Sequence, residues 1–476
     1  MSHRSDYEFL ISALTQEGYY ITNDSFFQWI ESRRNAVNVN IEIISFQKLK
    51  SWSFLNNFEK LSHESGKFFS IEGIQVVTNY GNKPNWSQPI INQPEIGYLG
   101  IITKEINGVL HFLMQAKIEP GNINTVQLSP TLQATKSNYS RVHKGNVPNY
   151  LEYFNGDKKV EILLDQLQSE QGARFLKKRN RNIIVKIDDD IHVFEDYCWL
   201  TLGQIKTFLK YDNLVNMDTR TVIAGIGYGS FSFDIRDLIV KLVESKTFGR
   251  TINKSMLLSA ITQNGALNSI EEIISWVTNI KTRYELKINQ IYLNELKDWI
   301  VTDSEIIHKE NKYFSIIATD IHIQNREVVS WCQPLVKSAQ EGLIALIVKK
   351  IDGIYHFLIQ VKVEAGNFDI VEFAPTIQCL TGNYRNGQNE YEVPFLDYVL
   401  NIQQDMILYK AFQSEEGGRF YHEQNLNLIV EVPDGSFVNP GENFCWLTLN
   451  QLLLFIKFNN YLNIQLRSLL SVISFN

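Results

Sequence analysis

Between residues 110 and 119 the chain sets His111, Gln115, Lys117 and Glu119 at alternate positions. In an extended strand these side chains share one face, with Leu113, while Phe112, Met114, Ala116 and Ile118 point the other way. An amide donor, a cation and a carboxylate in one row have a defined chemistry. A donor–cation–acceptor series of this kind tolerates few substitutions. The same order returns 245 residues later as His356, Gln360, Lys362 and Glu364. The apolar face changes freely between the two occurrences, to Phe357, Ile359, Val361 and Val363. A core tolerates such swaps. A solvated strand face would account for one polar row, but its repetition in the same order argues for function.

The segments that follow extend the row. Glu-Pro-Gly-Asn (119–122) and Glu-Ala-Gly-Asn (364–367) read as turns, with Gly allowing φ > 0 and Asn122 and Asn367 tolerating it. Next come Pro130-Thr131-x-Gln133 and Pro375-Thr376-x-Gln378, where the proline predicts an edge or a bulge. Asn138, Tyr139, Arg141, His143 and Lys144 follow in the first occurrence, and Asn383, Tyr384 and Arg385 in the second. Amides, hydroxyls, a lysine, a carboxylate and an arginine converging on one pocket suit a sugar and a diphosphate. Turn and cap chemistry is the competing account for Thr131, Asn138 and Asn383. Trp86 and Trp331 sit in polar loops and are candidates to stack on a base, whereas the other tryptophans read as core. Cys198 and Cys445 precede a Trp in apolar runs and read as core as well. His63, His111, His308 and His356 lack metal-ligand spacing and read as structural.

The elements that carry these residues belong to a chain written twice. Fourteen of the 29 positions in 111–139 are identical in 356–384. Trp29, Trp52, Trp86 and Trp199 pair with Trp276, Trp299, Trp331 and Trp446. QSEQGARF (168–175) matches QSEEGGRF (413–420), bringing in Arg174 and Arg419, and Arg220 matches Arg467. A period near 245 exceeds any solenoid repeat, so each copy is a domain. The first domain is expected over 1–224, with its core from about 26, and the second over 273–476. Residues 225–272 form a Gly-rich and then amphipathic connector. Apolar or alternating runs such as GYLGIITKEI, VLHFLMQAKIE and NIIVKI predict strands. The spacing in VEILLDQLQSEQGARFL (160–176) predicts a helix, as does TLGQIKTFLKYDNL (201–214). Strands and helices intermix without regular alternation, which predicts an α+β fold.

Composition limits the function. The 476 residues carry 45 Lys+Arg and 52 Asp+Glu, a net charge of −7, and 44% are hydrophobic. This excludes a disordered chain and argues against a nucleic-acid surface. No run suggests a membrane span or a signal peptide, and four cysteines without a CxxC pair predict a reduced, cytoplasmic protein.

QAKIEPGN–VQLSPTLQAT–SNYSRVH (115–143), QSEQGARFLKKRNRN (168–182), QVKVEAGN–VEFAPTIQC (360–379) and QSEEGGRFYHEQN (413–425) resemble the NDP-hexose 2,3-dehydratase family, and the resemblance covers nearly the whole chain. It implies two duplicated Nudix-like domains and a homodimer. It also implies a dTDP-4-keto-6-deoxyhexose pocket in each half, one of them vestigial. No metal and no organic cofactor are implied, and no Nudix box is present. The product would pass to an NAD(P)H-dependent 3-ketoreductase. Copy two departs from the motifs, with Ala365 for Pro120 and Gly387-Gln388 where copy one has Val142-His143-Lys144. The active pocket is therefore expected in copy one.

On that resemblance, the C4 ketone acidifies the C3 proton and a base removes it without a cofactor. Glu119 or His143 would be the base, Tyr139 the acid and Lys117 the enolate partner. Gln115, Asn122, Thr131, Gln133, Asn138 and Arg141 would hold the sugar and phosphates, with Trp86 and Arg174 on the base and diphosphate. The second pocket would contain Trp331, Gln360, Lys362, Glu364, Asn367, Thr376, Gln378, Asn383, Tyr384, Arg385 and Arg419. A nucleotide-sugar hydrolase and a non-catalytic nucleotide-sugar-binding protein are the competing readings.

Overall fold

The computed structural model describes residues 3–56, 58–136, 147–231, 233–246, 251–324, 328–379 and 392–476. The fold is α+β and duplicated. Each copy builds one seven-stranded mixed sheet and one five-stranded sheet. In the first large sheet the strand Gly97–Ile106 lies antiparallel to Val109–Ile118 and parallel to Arg179–Lys186. The second large sheet repeats this with Gly342–Ile351, Ile354–Lys362 and Gln424–Glu431. Helices of both copies pack on the large sheets, and a single apolar core runs from Phe9 to Phe475 through both copies.

The five-stranded sheets trade strands. Val39–Ile44 of copy one pairs with Phe314–Ile323 of copy two, from Val39 opposite Ile323 to Ile44 opposite Ala318. Leu286–Ile291 of copy two pairs in return with Ser70–Thr78 of copy one. The copies are therefore interlaced, and a second core mixes Phe46, Trp52, Phe69 and Phe175 with Trp299, Phe314 and Phe420.

Loops trade places too. The Gly121 N–H donates to the Gly417 carbonyl at 2.7 Å, and the His422 N–H donates to the Gly121 carbonyl at 2.9 Å. Gly366 makes the mirrored contacts with Gly172 and Lys177. A Cβ on Gly121 would lie 1.6 Å from the Phe420 carbonyl oxygen, and one on Gly366 equally close to that of Phe175. The turn glycines thus serve close backbone approach; neither has the positive φ expected from the turn motif. Gly121→Ala and Gly366→Ala are each expected to cost about 2–3 kcal/mol, read as a lowered midpoint in thermal unfolding.

Two elements differ from the sequence reading. Residues Glu161–Ser169 form a strand, where the apolar spacing predicts a helix. The strand has a bulge between Ile162 and Leu164, which shifts the in–out alternation and imitates helical spacing. The expected helix after Trp199 does form, over Leu202–Phe208. The connector also holds more than a loop and one helix. Its helix Lys254–Ile261 packs on the strand Ile354–Lys362 as the helix His3–Leu14 packs on Val109–Ile118. Ser12 Oγ donates to the Leu110 carbonyl and Ser259 Oγ to that of Tyr355, each at 2.6 Å. The structural repeat therefore reaches upstream of residues 26 and 273. FLISALTQEG (9–18) against MLLSAITQNG (256–265) is its sequence trace.

No described helix is long and apolar enough to cross a membrane.

Candidate active site

The polar row lies where the sequence places it, on the strand Val109–Ile118 and the residue after it. Lys117 Nζ donates to the Gln133 carbonyl at 3.3 Å, and Gln133 Nε2 donates to Glu119 Oε1 at 2.7 Å. Asn216 Nδ2 donates to Gln133 Oε1 at 3.1 Å and so fixes which way that amide faces. The second oxygen of Glu119 is buried and has no hydrogen-bond partner among the described residues. Lys117, Glu119 and Gln133 line a cavity of about 440 Å³.

Copy two supplies part of the lining. Glu416, Gly418, Arg419, Gln333 and Trp331 line the same cavity as Lys117 and Glu119, together with Trp52, His63, Phe69 and Lys178 of copy one. Arg419 stacks on Phe69, 4.1–4.2 Å being the spacing of both such pairs, and donates to Gln93 Oε1 at 3.2 Å. This corrects the assignment of Trp331 and Arg419 to the second pocket and of Trp86 and Arg174 to the first. Trp86 packs beside Ala365, and Arg174 stacks on Phe314, near Glu364 and Glu423. The cause is the interlacing: each turn after a lysine strand is bonded to the other copy's QSE loop.

Several expected ligand-binding residues are structural. Thr131 Oγ1 donates to the Leu113 carbonyl and accepts the Ile102 N–H at 2.9 Å. It closes the gap where the chain passes at Pro130 from one strand partner to another, and Thr376 does the same in copy two. Asn122 Nδ2 donates to the carbonyls of Lys117 and Thr125, and Asn367 to that of Lys362. Gln360 donates to the carbonyls of Pro375 and Thr376. Gln115 is opposite Ser129 in the sheet and does not line the cavity. His111 and His356 are held in matching ways, each accepting a backbone N–H at Nε2. Asn138, Tyr139, Arg141, His143, Asn383, Tyr384 and Arg385 lie outside the described residues.

The sequence reading missed two carboxylates. Asp218 enters from the first turn of the helix Met217–Ala224, whose N-cap is Asn216. Glu416 enters from copy two. With Glu119 they form a cluster whose oxygens lie within 4.8 Å of one another. Burial and the neighbouring carboxylates Glu416, Glu119 and Glu170 hold Asp218 well above the usual carboxylate range, against the pull of Lys117. Burial, opposed by Arg419 and reinforced by Glu119 and Glu170, pushes Glu416 up to about 8. Glu416 thus keeps a proton near neutral pH, and Asp218 is shifted in the same direction.

The second site has the same frame with different chemistry. Lys362 Nζ donates to the Gln378 carbonyl at 2.9 Å, Gln378 to Glu364 at 2.8 Å, and Asn463 to Gln378 at 2.7 Å. Where the first site has Asp218, Glu416 and Lys178, the second has Gln465, Gln171 and Glu423. Gln171 and Gln465 are buried with no side-chain partner among the described residues. The signal that would have found the carboxylates was in the sequence, in the positions where the copies disagree.

A carboxyl group with a raised pKa binds its proton more tightly in the folded chain than in the unfolded one. The resulting stability is complete below the unfolded value of 4.5 and is lost as pH rises through about 8. Glu372 and Glu415, also pushed up to about 8 by burial, act in the same direction. The unfolding midpoint of the unliganded protein is therefore expected to fall from pH 5 to pH 9, and Glu416→Gln to flatten that decline.

The sequence model of the NDP-hexose 2,3-dehydratase family matches residues 23–226 and again 270–473. A dTDP-4-dehydro-6-deoxy-alpha-D-glucopyranose 2,3-dehydratase of Saccharopolyspora spinosa is 43% identical over 97% of this chain and 93% of its own length. Proteins described by the same words from Amycolatopsis orientalis and Streptomyces violaceoruber are 39% and 38% identical, over 98% and 94% of this chain and 93% and 96% of their own lengths. Two matches in tandem, each spanning one interlaced copy, make this chain a member of the NDP-hexose 2,3-dehydratase family.

Proposed function

We propose that the chain is a hydro-lyase acting on dTDP-4-keto-6-deoxy-D-glucose, and that it removes the C3 proton and the C2 hydroxyl in the cavity around Lys117. The observation that carries this is the grouping of Lys117 with the Glu119–Asp218–Glu416 cluster in a single cavity, with Asp218 and Glu416 both shifted toward the protonated form. Glu119 takes the C3 proton, which the C4 ketone has acidified. Its Oε1 is anchored on Gln133, and its second oxygen has no hydrogen-bond partner among the described residues. Lys117 faces the enolate oxygen, where a cation gains most as charge develops. The enolate then expels the C2 hydroxyl, and the resulting enol tautomerises to the 3,4-diketo-2,6-dideoxy sugar. Arg419 and Lys178 serve the diphosphate, and the aromatic lining at Trp331, Phe69 and Trp52 serves the base. The reaction as written balances without metal or organic cofactor.

We read the enzyme as cytoplasmic, in keeping with four cysteines that form no disulfide. We also read it as a homodimer whose product is taken up by an NAD(P)H-dependent 3-ketoreductase, because a 3,4-diketone is short-lived in water. The test is incubation with dTDP-4-keto-6-deoxyglucose in D₂O together with such a reductase. A 2-deoxy sugar nucleotide, detected by mass spectrometry and unaffected by EDTA, is the expected result. Release of nucleoside phosphate that EDTA abolishes would overturn it in favour of a hydrolase, and tight binding of intact sugar would leave a binding protein.

A further inference from the structure

We propose that the acid expelling the C2 hydroxyl is the Asp218–Glu416 pair, one carboxyl from each copy, and that the second site is silent for lack of it. This rests on the dehydratase reading above. Asp218 is 3% exposed and held by the first turn of its helix, and Glu416 reaches the same point from the other copy. Their oxygens and those of Glu119 lie within 4.8 Å of one another, so three negative charges cannot share the space and protons stay. Glu119 is the member whose Oε1 is already held by an amide donor, Gln133 Nε2. The other two are left to carry protons.

The proton count closes within this cluster. Glu119 gains the proton from C3 as the enolate forms. The enolate re-forms the C4 carbonyl, the C2–C3 double bond forms and the C2–O bond breaks, with hydroxide leaving as water on a proton from the Asp218–Glu416 pair. The proton on Glu119 then passes over the short distance to the emptied pair. Tautomerisation moves one proton from the C3 hydroxyl to C2. Nothing is oxidised or reduced. In the second site the corresponding residues are Gln465 and Gln171, amides that cannot supply this proton, although Lys362, Glu364 and Gln378 keep the rest of the frame.

The test uses Asp218→Asn and Glu416→Gln in the full chain. The fold already carries amides at both equivalent positions, and thermal unfolding verifies that the variants are folded. Each is incubated with dTDP-4-keto-6-deoxyglucose in D₂O, and two quantities are read: deuterium at C3 of recovered substrate, and 2-deoxy product trapped by the reductase. Elimination is expected to fall about 100-fold or more, with C3 exchange kept within about tenfold of the exchange rate set by Glu119. The 2-deoxy-2-fluoro analogue, whose fluoride leaves with less acid help, is expected to react at close to the wild-type rate. Exchange that falls together with elimination, or a fluoro analogue slowed as much as the natural substrate, would overturn the assignment. A wild-type enzyme that neither exchanges C3 nor eliminates would overturn the dehydratase reading itself.

Discussion

Lys117→Ala is expected to lower turnover about 10³-fold, whereas Lys362→Ala should leave it within about threefold of wild type. The two lysines are placed alike, on equivalent strands, each donating to the backbone carbonyl of the glutamine two residues after a bridging threonine. What separates them is their surroundings. Lys117 shares its cavity with Glu119, Asp218 and Glu416, and Lys362 shares its site with Glu364 and the amides of Gln465 and Gln171. A lysine steadies an enolate only where the remaining groups can make one and then discharge it. The loss should be in kcat, because the charge that Lys117 meets arises during the reaction. Steady-state kinetics on both variants decides the matter. A large loss at Lys362 with Lys117→Ala unaffected would move the chemistry to the second site.

The second large effect concerns folding. Arg220 and Arg467 are 1% exposed, on the helices Met217–Ala224 and Ile464–Ser471, which pack against each other. Each guanidinium crosses to the other copy. Arg220 donates to Ser468 Oγ and the Ser414 carbonyl, and Arg467 donates to the Ser169 carbonyl and, at 2.7 Å, to Thr221 Oγ1. These carbonyls end the strands that lead into the QSE loops, so the arginines fix where Glu416 and Gln171 enter the two sites. Arg220→Ala and Arg467→Ala are each expected to cost about 3–5 kcal/mol, as when one partner of a buried charged network is removed. Denaturant unfolding should read that as a lower midpoint. A loss below about 1 kcal/mol would show that the crossing contributes little.

The sequence made the duplication, the lysine strands and the α+β class legible because alternation and repetition are local or countable properties. It gave Lys117, Glu119 and Gln133 their place in one cavity for the same reason. It misassigned Trp86, Arg174, Trp331 and Arg419 because interlacing is a long-range property: nothing in the residues 39–44 says that their strand partner is 280 residues away. Asp218 and Glu416 were passed over for a different cause. Agreement between copies marks shared frame as well as function: Thr131, Asn122 and His111 agree with their counterparts because they hold backbone in place. Both copies need that frame. The proposed acids occupy positions where the copies differ, Asp218 with Gln465 as its counterpart and Glu416 with Gln171, at which a comparison for likeness scores nothing.

The traded strands and loops have a consequence for how such a site can change. Were the two copies separate identical subunits, any substitution at the Asp218 position would enter both sites of the dimer at once, and no mutation could spare one of them. Covalent joining through the segment around 225–253 removes that constraint. One site can then keep an acid while its twin takes an amide, and each copy remains obliged to supply a wall to the other. The joined chain thus permits inherited asymmetry without releasing either half from the partnership.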